Sequence, residues 1–128
     1  MSGRVVHFEV PFDDGDRARG FYADVFGWQV HEMPEMNYTI VTSGPSGDAG
    51  PTEAGFINGG MLSRKDSATG GPAIVVDVDS IDATLEKIGG LGGSTVAPKM
   101  PVGDMGFAAY FKDPEGNVMG LWETARQG

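Results

Sequence analysis

Two residues near the start of the chain have side chains that can exchange protons, His7 and Glu9. Side chains two positions apart on a β-strand lie on the same face, about 7 Å apart along it. Such a pair can act as an acid, a base or a hydrogen-bond donor, with the carboxylate orienting the imidazole. The alternative is a histidine satisfied by backbone or water, because a pair without a third partner rarely forms a catalytic site. Because their side chains share one face and can transfer protons, His7 and Glu9 are still the best candidates for catalysis and ligand binding.

Aromatic and amide side chains provide candidates for the wall of a binding cavity. We expect three residues to contact a ligand together with His7 and Glu9: Asn58, Tyr110 and Trp122. Tyr38 and Phe107 are further candidates for the wall. Such a wall suits a planar or apolar ligand held by stacking and a few polar groups. The alternative is that these rings fill a collapsed cavity. His31, beside Glu32 at a strand end, is expected to be a surface histidine.

The composition excludes several classes of site and partner. The chain has 128 residues and no cysteine, which rules out disulfides, thiolate metal sites and cysteine nucleophiles. Its formal net charge of -9 repels nucleic-acid phosphates and anionic membrane surfaces, so neither is an expected partner. The N-terminus has no signal pattern, and no apolar stretch is long enough to span a bilayer. We therefore expect a cytoplasmic protein.

The hydrophobic pattern of the first half predicts a strand, a helix and three further strands. The first strand covers residues 4–10, and Pro11 is expected to end it. Apolar residues at helical spacing predict a helix over residues 17–26, ended by Gly27. The three strands are predicted at residues 28–33, 36–43 and 55–61, with a mobile loop over residues 44–54.

The second half repeats this order. A strand over residues 73–78 precedes a helix capped by Ser80, and strands follow at residues 94–97, 106–111 and 118–123. The repetition predicts an α+β fold of two tandem βαβββ modules, at about residues 4–62 and 72–124. The modules are expected to form a curved, eight-stranded mixed sheet around one cavity, with the helices on the outside.

Several short motifs, in their order along the chain, resemble a known family. They are Val6-His7-Phe8-Glu9-Val10-Pro11 with Asp14, Phe21-Tyr22, Val25-Phe26-Gly27-Trp28, Val76-Asp77-Val78-Asp79, Asp113-Pro114-Glu115-Gly116-Asn117 and Gly120-Leu121-Trp122. The chain resembles the vicinal oxygen chelate superfamily, which holds glyoxalase I, bleomycin-resistance proteins and extradiol dioxygenases. It looks most like the lactoylglutathione-lyase-related branch. The resemblance covers both halves and implies a single glyoxalase-like domain, residues 1–128, that forms a homodimer.

The resemblance also implies where a metal would bind. In metal-dependent members, a His or Gln, a Glu, a second His or Gln and a second Glu hold one divalent ion. The first position falls on His7. The second falls near residues 58–60, where there is no carboxylate, and the other two fall on Ala73 and Gly120, which have no side-chain donor atom. No cofactor is therefore predicted, and a divalent metal bound by His7 and partners that the sequence does not identify remains an alternative.

Glu123 lies three residues beyond Gly120 and could replace a missing ligand. Strand parity places Glu123 on the helix side, with Met119 and Leu121. It could reach the cavity only if the last strand is bulged.

We interpret the chain as a glyoxalase- and bleomycin-resistance-like protein that binds a small organic ligand in the cavity between its modules, without the usual four-ligand metal site. The first alternative is a divalent-metal-dependent lyase or isomerase of the glyoxalase type that uses His7. The second is a non-catalytic interaction or regulatory protein with a closed cavity. The sequence leaves open whether any reaction is catalysed and which ligand is bound.

Overall fold

The computed structural model describes residues 3–125, which divide into two compact units. The N-terminal unit comprises residues 7–72. The C-terminal unit comprises residues 73–125 together with residues 3–6, from the beginning of the first strand. Each unit contains one α-helix and four main strands.

The N-terminal unit contains most of strand β1 and five further strands or strand fragments. Its elements are β1 (Arg4–Phe12), α1 (Gly15–Phe26), β2 (Gln29–Met33), β3 (Tyr38–Thr42), β4 (Ser46–Gly47), β5 (Gly50–Pro51) and β6 (Asn58–Ser63), with short 3-10 helices at Pro34–Met36 and Arg64–Asp66. The main sheet has the strand order β2-β3-β6-β1, in which β1 and β6 are parallel and the other pairs antiparallel.

The strand register separates this sheet into two faces. Phe8 and Val41 both lie opposite Gly59, so they share one face. Helix α1 covers that face, since the Phe8 ring centroid lies 5.5 Å from that of Trp28, which stacks on Tyr22 of α1 at 5.1 Å. We call the other side the distal face. By the register, it carries His7, Glu9, Tyr38, Ile40, Asn58 and Gly60.

The C-terminal unit repeats the arrangement with β7 (Ala73–Asp77), α2 (Ile81–Gly90), β8 (Ser94–Val102), β9 (Gly106–Lys112) and β10 (Val118–Thr124). Its strand order is β7-β10-β9-β8, with β7 and β10 parallel. Ile81, Ala109 and Leu121 form a buried core between α2 and the sheet. Burial of such apolar side chains is the main stabilising contribution to each unit.

The predicted α+β fold with a repeated βαβββ order is confirmed. Local signals account for the helix ends: the Asp14 side chain accepts a hydrogen bond from the Arg17 N–H, and Ser80 accepts one from Ala83. Helix α1 ends at Gly27, whose φ of 72° is left-handed, as the sequence predicts. No helix among residues 3–125 is long and apolar enough to cross a membrane.

Several predicted boundaries differ from the structure; β3 begins at Tyr38 and not at residue 36, and β6 at Asn58 and not at residue 55. Strand β1 continues to Phe12, so the prediction that Pro11 ends it is wrong; a proline removes only its own N–H from the ladder, which a strand tolerates near its end. Strand β8 is longer than residues 94–97, because an edge strand accommodates Pro98 and Pro101 with register shifts. The predicted loop at 44–54 contains the short β4–β5 pair.

Candidate functional site

Three side chains of the distal face form a hydrogen-bonded array. His7 Nε2 lies 2.8 Å from Tyr38 Oη, and the Tyr38 hydroxyl donates to Glu9 Oε2 at 3.0 Å. The His7 and Tyr38 rings are nearly parallel, with centroids 6.4 Å apart and an interplanar angle of 18°. The structure therefore brings the predicted pair together through a third residue. We call His7, Tyr38 and Glu9 the distal array.

Strands β1, β6 and β3 position the distal array. Glu9 lies opposite Gly60 on β6, and Gly60 in turn lies opposite Ile40 on β3. A Cβ atom at position 60 would overlap the Tyr38 phenol. The glycine therefore makes room for the tyrosine ring to cross β6 and reach both residues on β1.

Burial changes the acid-base behaviour of His7. Removal from water disfavours the imidazolium and lowers the pKa of His7, while the negative charge of Glu9 opposes this shift without cancelling it. His7 is consequently a neutral imidazole at pH 7. The array then combines a neutral imidazole, a phenol and a carboxylate, which can donate and accept hydrogen bonds within a small area.

Asn58 lies on the distal face but is engaged with the neighbouring loop. Its Oδ1 accepts from the Ser43 N–H at 2.9 Å, and its Nδ2 donates to Ser46 Oγ at 2.8 Å. These bonds fasten the segment after β3 to the start of β6. Asn58 thus stabilises the loop between β3 and β6, and its contact with a ligand stays a prediction.

A depression of about 490 Å³ lies beside this loop, away from the distal array. It is lined by Gly27, Gln29, Thr42, Ser43, Gly44, Pro45, Ser46 and Thr52. Two hydroxyls of this lining are already hydrogen-bonded to backbone carbonyls: Ser43 Oγ donates to Ile57 and Thr52 Oγ1 donates to Pro45. We therefore place the candidate site at the distal array, where ionisable groups converge, and not at this depression.

In the C-terminal unit, Tyr110 and Trp122 share a sheet face with Gly120. Tyr110 lies opposite Gly120 in the β9–β10 pairing, and Trp122 lies two residues further along β10. Trp122 Nε1 donates to Thr124 Oγ1 at 3.1 Å. Phe107 lies on the other face and packs against the core under α2, so its assignment to the cavity wall is wrong. The reason is parity, since position 107 differs from 110 by an odd number of residues.

Glu123 caps helix α2. Its Oε1 accepts from the Ile81 N–H at 2.8 Å, and its Oε2 accepts from Lys99 Nζ at 3.2 Å. The β9–β10 pairing continues without a bulge from Val118 to Thr124. The condition under which Glu123 could have faced the cavity is therefore not met, and its carboxylate satisfies a helix N-terminus.

The residues at the family's metal-binding positions do not fit a divalent ion. Of the four positions only His7 has a donor atom of the required kind, and its Nε2 is engaged with Tyr38. Residues 58–60 include no carboxylate, and the Tyr38 phenol covers Gly60, while Ala73 and Gly120 have no side-chain donor. Within residues 3–125, no group of three His, Cys, Asp or Glu side chains is arranged to hold a metal.

Comparison with known proteins agrees with the fold. Residues 4–44 match a family model described as bleomycin resistance protein-like N-terminal. A Mycobacterium bovis protein named as a glyoxylase is 27% identical over 121 residues, covering 88% of this chain and 42% of that protein. A Vibrio parahaemolyticus protein named as a probable lactoylglutathione lyase is 28% identical, covering 94% of this chain and 90% of that protein.

A solved structure has a fold similar to that of this chain. A variant of Streptomyces coelicolor methylmalonyl-CoA epimerase, in complex with 2-nitronate-propionyl-CoA, has a TM-score of 0.65 at 19% identity, covering 98% of this chain and 96% of that one. These likenesses agree with the resemblance of the sequence to the vicinal oxygen chelate superfamily, and the solved structure shows a similar fold. The chain spans 42% of the length of the mycobacterial relative.

The central role of Tyr38 was not predicted from the sequence. Parity on β1 placed His7 and Glu9 together, but Tyr38 reaches them from β3 across the whole width of β6. The signal in the sequence is Gly60, a glycine within a predicted strand. A glycine within a strand indicates a bulge or a close approach by another group.

Proposed function

We propose that the protein binds a small organic molecule at the distal face of the N-terminal unit, with the distal array as its polar anchor. The observation that supports this most directly is the convergence of His7, Tyr38 and Glu9 through bonds of 2.8 and 3.0 Å. Partly buried ionisable groups cost stability unless they are paired, and such groups concentrate at functional sites.

The chemistry of the array suits a polar group on an otherwise apolar ligand. A neutral imidazole next to a carboxylate-bound phenol offers directional hydrogen bonds and little attraction for an anion. The acidity of the whole chain acts in the same direction. Tyr110 and Trp122 remain predicted ligand contacts in the C-terminal unit.

Binding without the family's four-ligand metal centre is part of the proposal. It is supported by the donor chemistry: Ala73 and Gly120 have no ligand atoms, and the Tyr38 phenol covers Gly60. A ligand would then be held by hydrogen bonds and apolar contacts, as is usual for small-molecule sites.

The second candidate is a lyase or isomerase of the glyoxalase type that uses a divalent metal through His7. The names of the Vibrio parahaemolyticus and Mycobacterium bovis relatives favour it. The available metal-ligand atoms disfavour it, since one imidazole cannot replace four ligands.

Ligand binding in the presence of a chelator separates the two candidates. We suggest screening small planar compounds that carry one hydroxyl or amine group against the protein in EDTA, by the shift in thermal unfolding temperature. Compounds that stabilise the wild type should lose at least tenfold in affinity with His7→Ala and retain it with His31→Ala, because His31 is an exposed residue of β2.

Two results would contradict the proposal. One is that no compound binds unless a divalent metal is added. The other is that His7→Ala, folded as judged by circular dichroism, binds the same compounds as tightly as the wild type.

A further inference from the structure

Tyr38 joins two groups of different chemistry, and this fixes where the protons lie. A phenol has one proton to donate and can accept as well. An ionised carboxylate only accepts, so the bond from Tyr38 Oη to Glu9 Oε2 uses the phenol proton. The 2.8 Å contact between Tyr38 Oη and His7 Nε2 then requires the imidazole to be the donor.

We propose that Tyr38 is a positioning residue that holds neutral His7 in the tautomer with its proton on Nε2, with Glu9 as the terminal acceptor. Hydrogen bonds then run in one direction, from His7 to Tyr38 to Glu9. The second ring nitrogen, Nδ1, becomes the basic atom of the imidazole. A hydrogen bond made by one ring nitrogen commonly sets the state of the other.

The geometry makes this assignment specific to Tyr38. The tyrosine projects from β3 and crosses Gly60 of β6 to meet β1. Its hydroxyl lies 2.8 Å from His7 Nε2, and the two rings are nearly parallel, with an interplanar angle of 18°. Side chains from two strands therefore fix both the orientation of the ring and the nitrogen that carries the proton.

The tautomer also specifies the chemical class of ligand group that His7 can recognise, a consequence that rests on the proposed function. A ligand atom that meets Nδ1 must donate a hydrogen bond, as a hydroxyl, an amide N–H or an ammonium group does. A carbonyl or phosphate oxygen would face a lone pair instead. The ionised Glu9 in the same array disfavours an anionic group in addition.

Nitrogen NMR of the imidazole rings tests the tautomer without any ligand, so its outcome is independent of the proposed function. The chain has two histidines, so the signals of His7 are assigned by comparison with His31→Gln. At a pH where His7 is neutral, long-range proton–nitrogen spectra should show a pyrrole-like Nε2 and a pyridine-like Nδ1. A pyrrole-like Nδ1 would overturn the proposal.

Two variants test whether Tyr38 is responsible. Tyr38→Phe keeps the ring and removes the hydroxyl, so both nitrogen signals of His7 should move toward the average of the two tautomers. Gly60→Ala should do the same by displacing the phenol, provided that it folds. Tyr22→Phe, which removes the hydroxyl of a ring stacked on Trp28 on the α1 side, should leave the His7 signals unchanged. A Tyr38→Phe spectrum with His7 signals identical to the wild type would overturn the role of Tyr38.

Discussion

His7 is a histidine whose surroundings resist its protonation. Burial is the larger effect and lowers its pKa, and the charge of Glu9 offsets only part of that. The unfolded chain therefore takes up a proton on His7 at higher pH than the folded chain does. By linkage, the free energy of unfolding rises with pH in the window between these two pKa values.

The first prediction concerns this pH dependence. As the pH falls from neutrality through the ordinary histidine pKa of about 6.5, the wild type should lose stability until the folded pKa of His7 is reached. His7→Gln removes the titrating group and should flatten the pH dependence in this window, while His31→Gln should not. Urea unfolding at a series of pH values measures the slopes. Equal slopes for the wild type and His7→Gln would contradict the prediction.

At the residue scale, part of the candidate site could be predicted from the sequence. Parity alone placed His7 with Glu9 and placed Glu123 on the opposite, helix-covered side, where it caps α2. The contact of Tyr38 with both β1 residues depends on which strands are neighbours and in what register. Local patterns in one sequence do not specify these long-range pairings.

At the scale of elements, helix α1 offers two glycines with opposite expected effects. Gly27 ends the helix with φ of 72°, and its N–H donates to the Ala23 carbonyl. Gly20 lies within the helix, and a Cβ there would meet no atom within 4 Å. One glycine is required by its backbone conformation, whereas the other only weakens the helix.

The second prediction compares these two positions. Gly27→Ala should lower the free energy of unfolding by about 1 kcal/mol, because a Cβ is unfavourable in the left-handed region. Gly20→Ala should raise it by about 0.5–1 kcal/mol, because alanine loses less conformational freedom in a helix. Chemical unfolding of the two variants and the wild type measures both. A change of the same sign in both variants would contradict this account of α1.

Elements with strong local signals were predictable, and those governed by their position in a sheet were less so. The ends of α1 and α2 follow from Asp14, Gly27 and Ser80, which act within their own turns. Pro11 was expected to end β1, and β8, which contains Pro98 and Pro101, extends beyond its predicted end at residue 97. The tolerance of these prolines depends on an edge or end position, which only the assembled sheet defines.

At the scale of the whole molecule, the repeated βαβββ order was the most reliable inference, because it combines many weak patterns. The resemblance of the sequence to the vicinal oxygen chelate superfamily implied a four-ligand metal centre. In this chain, Tyr38 covers Gly60, and Ala73 and Gly120 have no donor atoms. These residues support the proposal that the chain binds its ligand without such a centre.

Calorimetric titration of metal-free protein with Ni²⁺, Zn²⁺ and Mn²⁺ tests most directly the proposal that the chain lacks this metal centre. We predict no saturable one-to-one binding that depends on His7, so that the titrations of the wild type and His7→Ala should coincide. The binding of one equivalent of metal by the wild type and by His31→Ala, abolished in His7→Ala, would contradict the account.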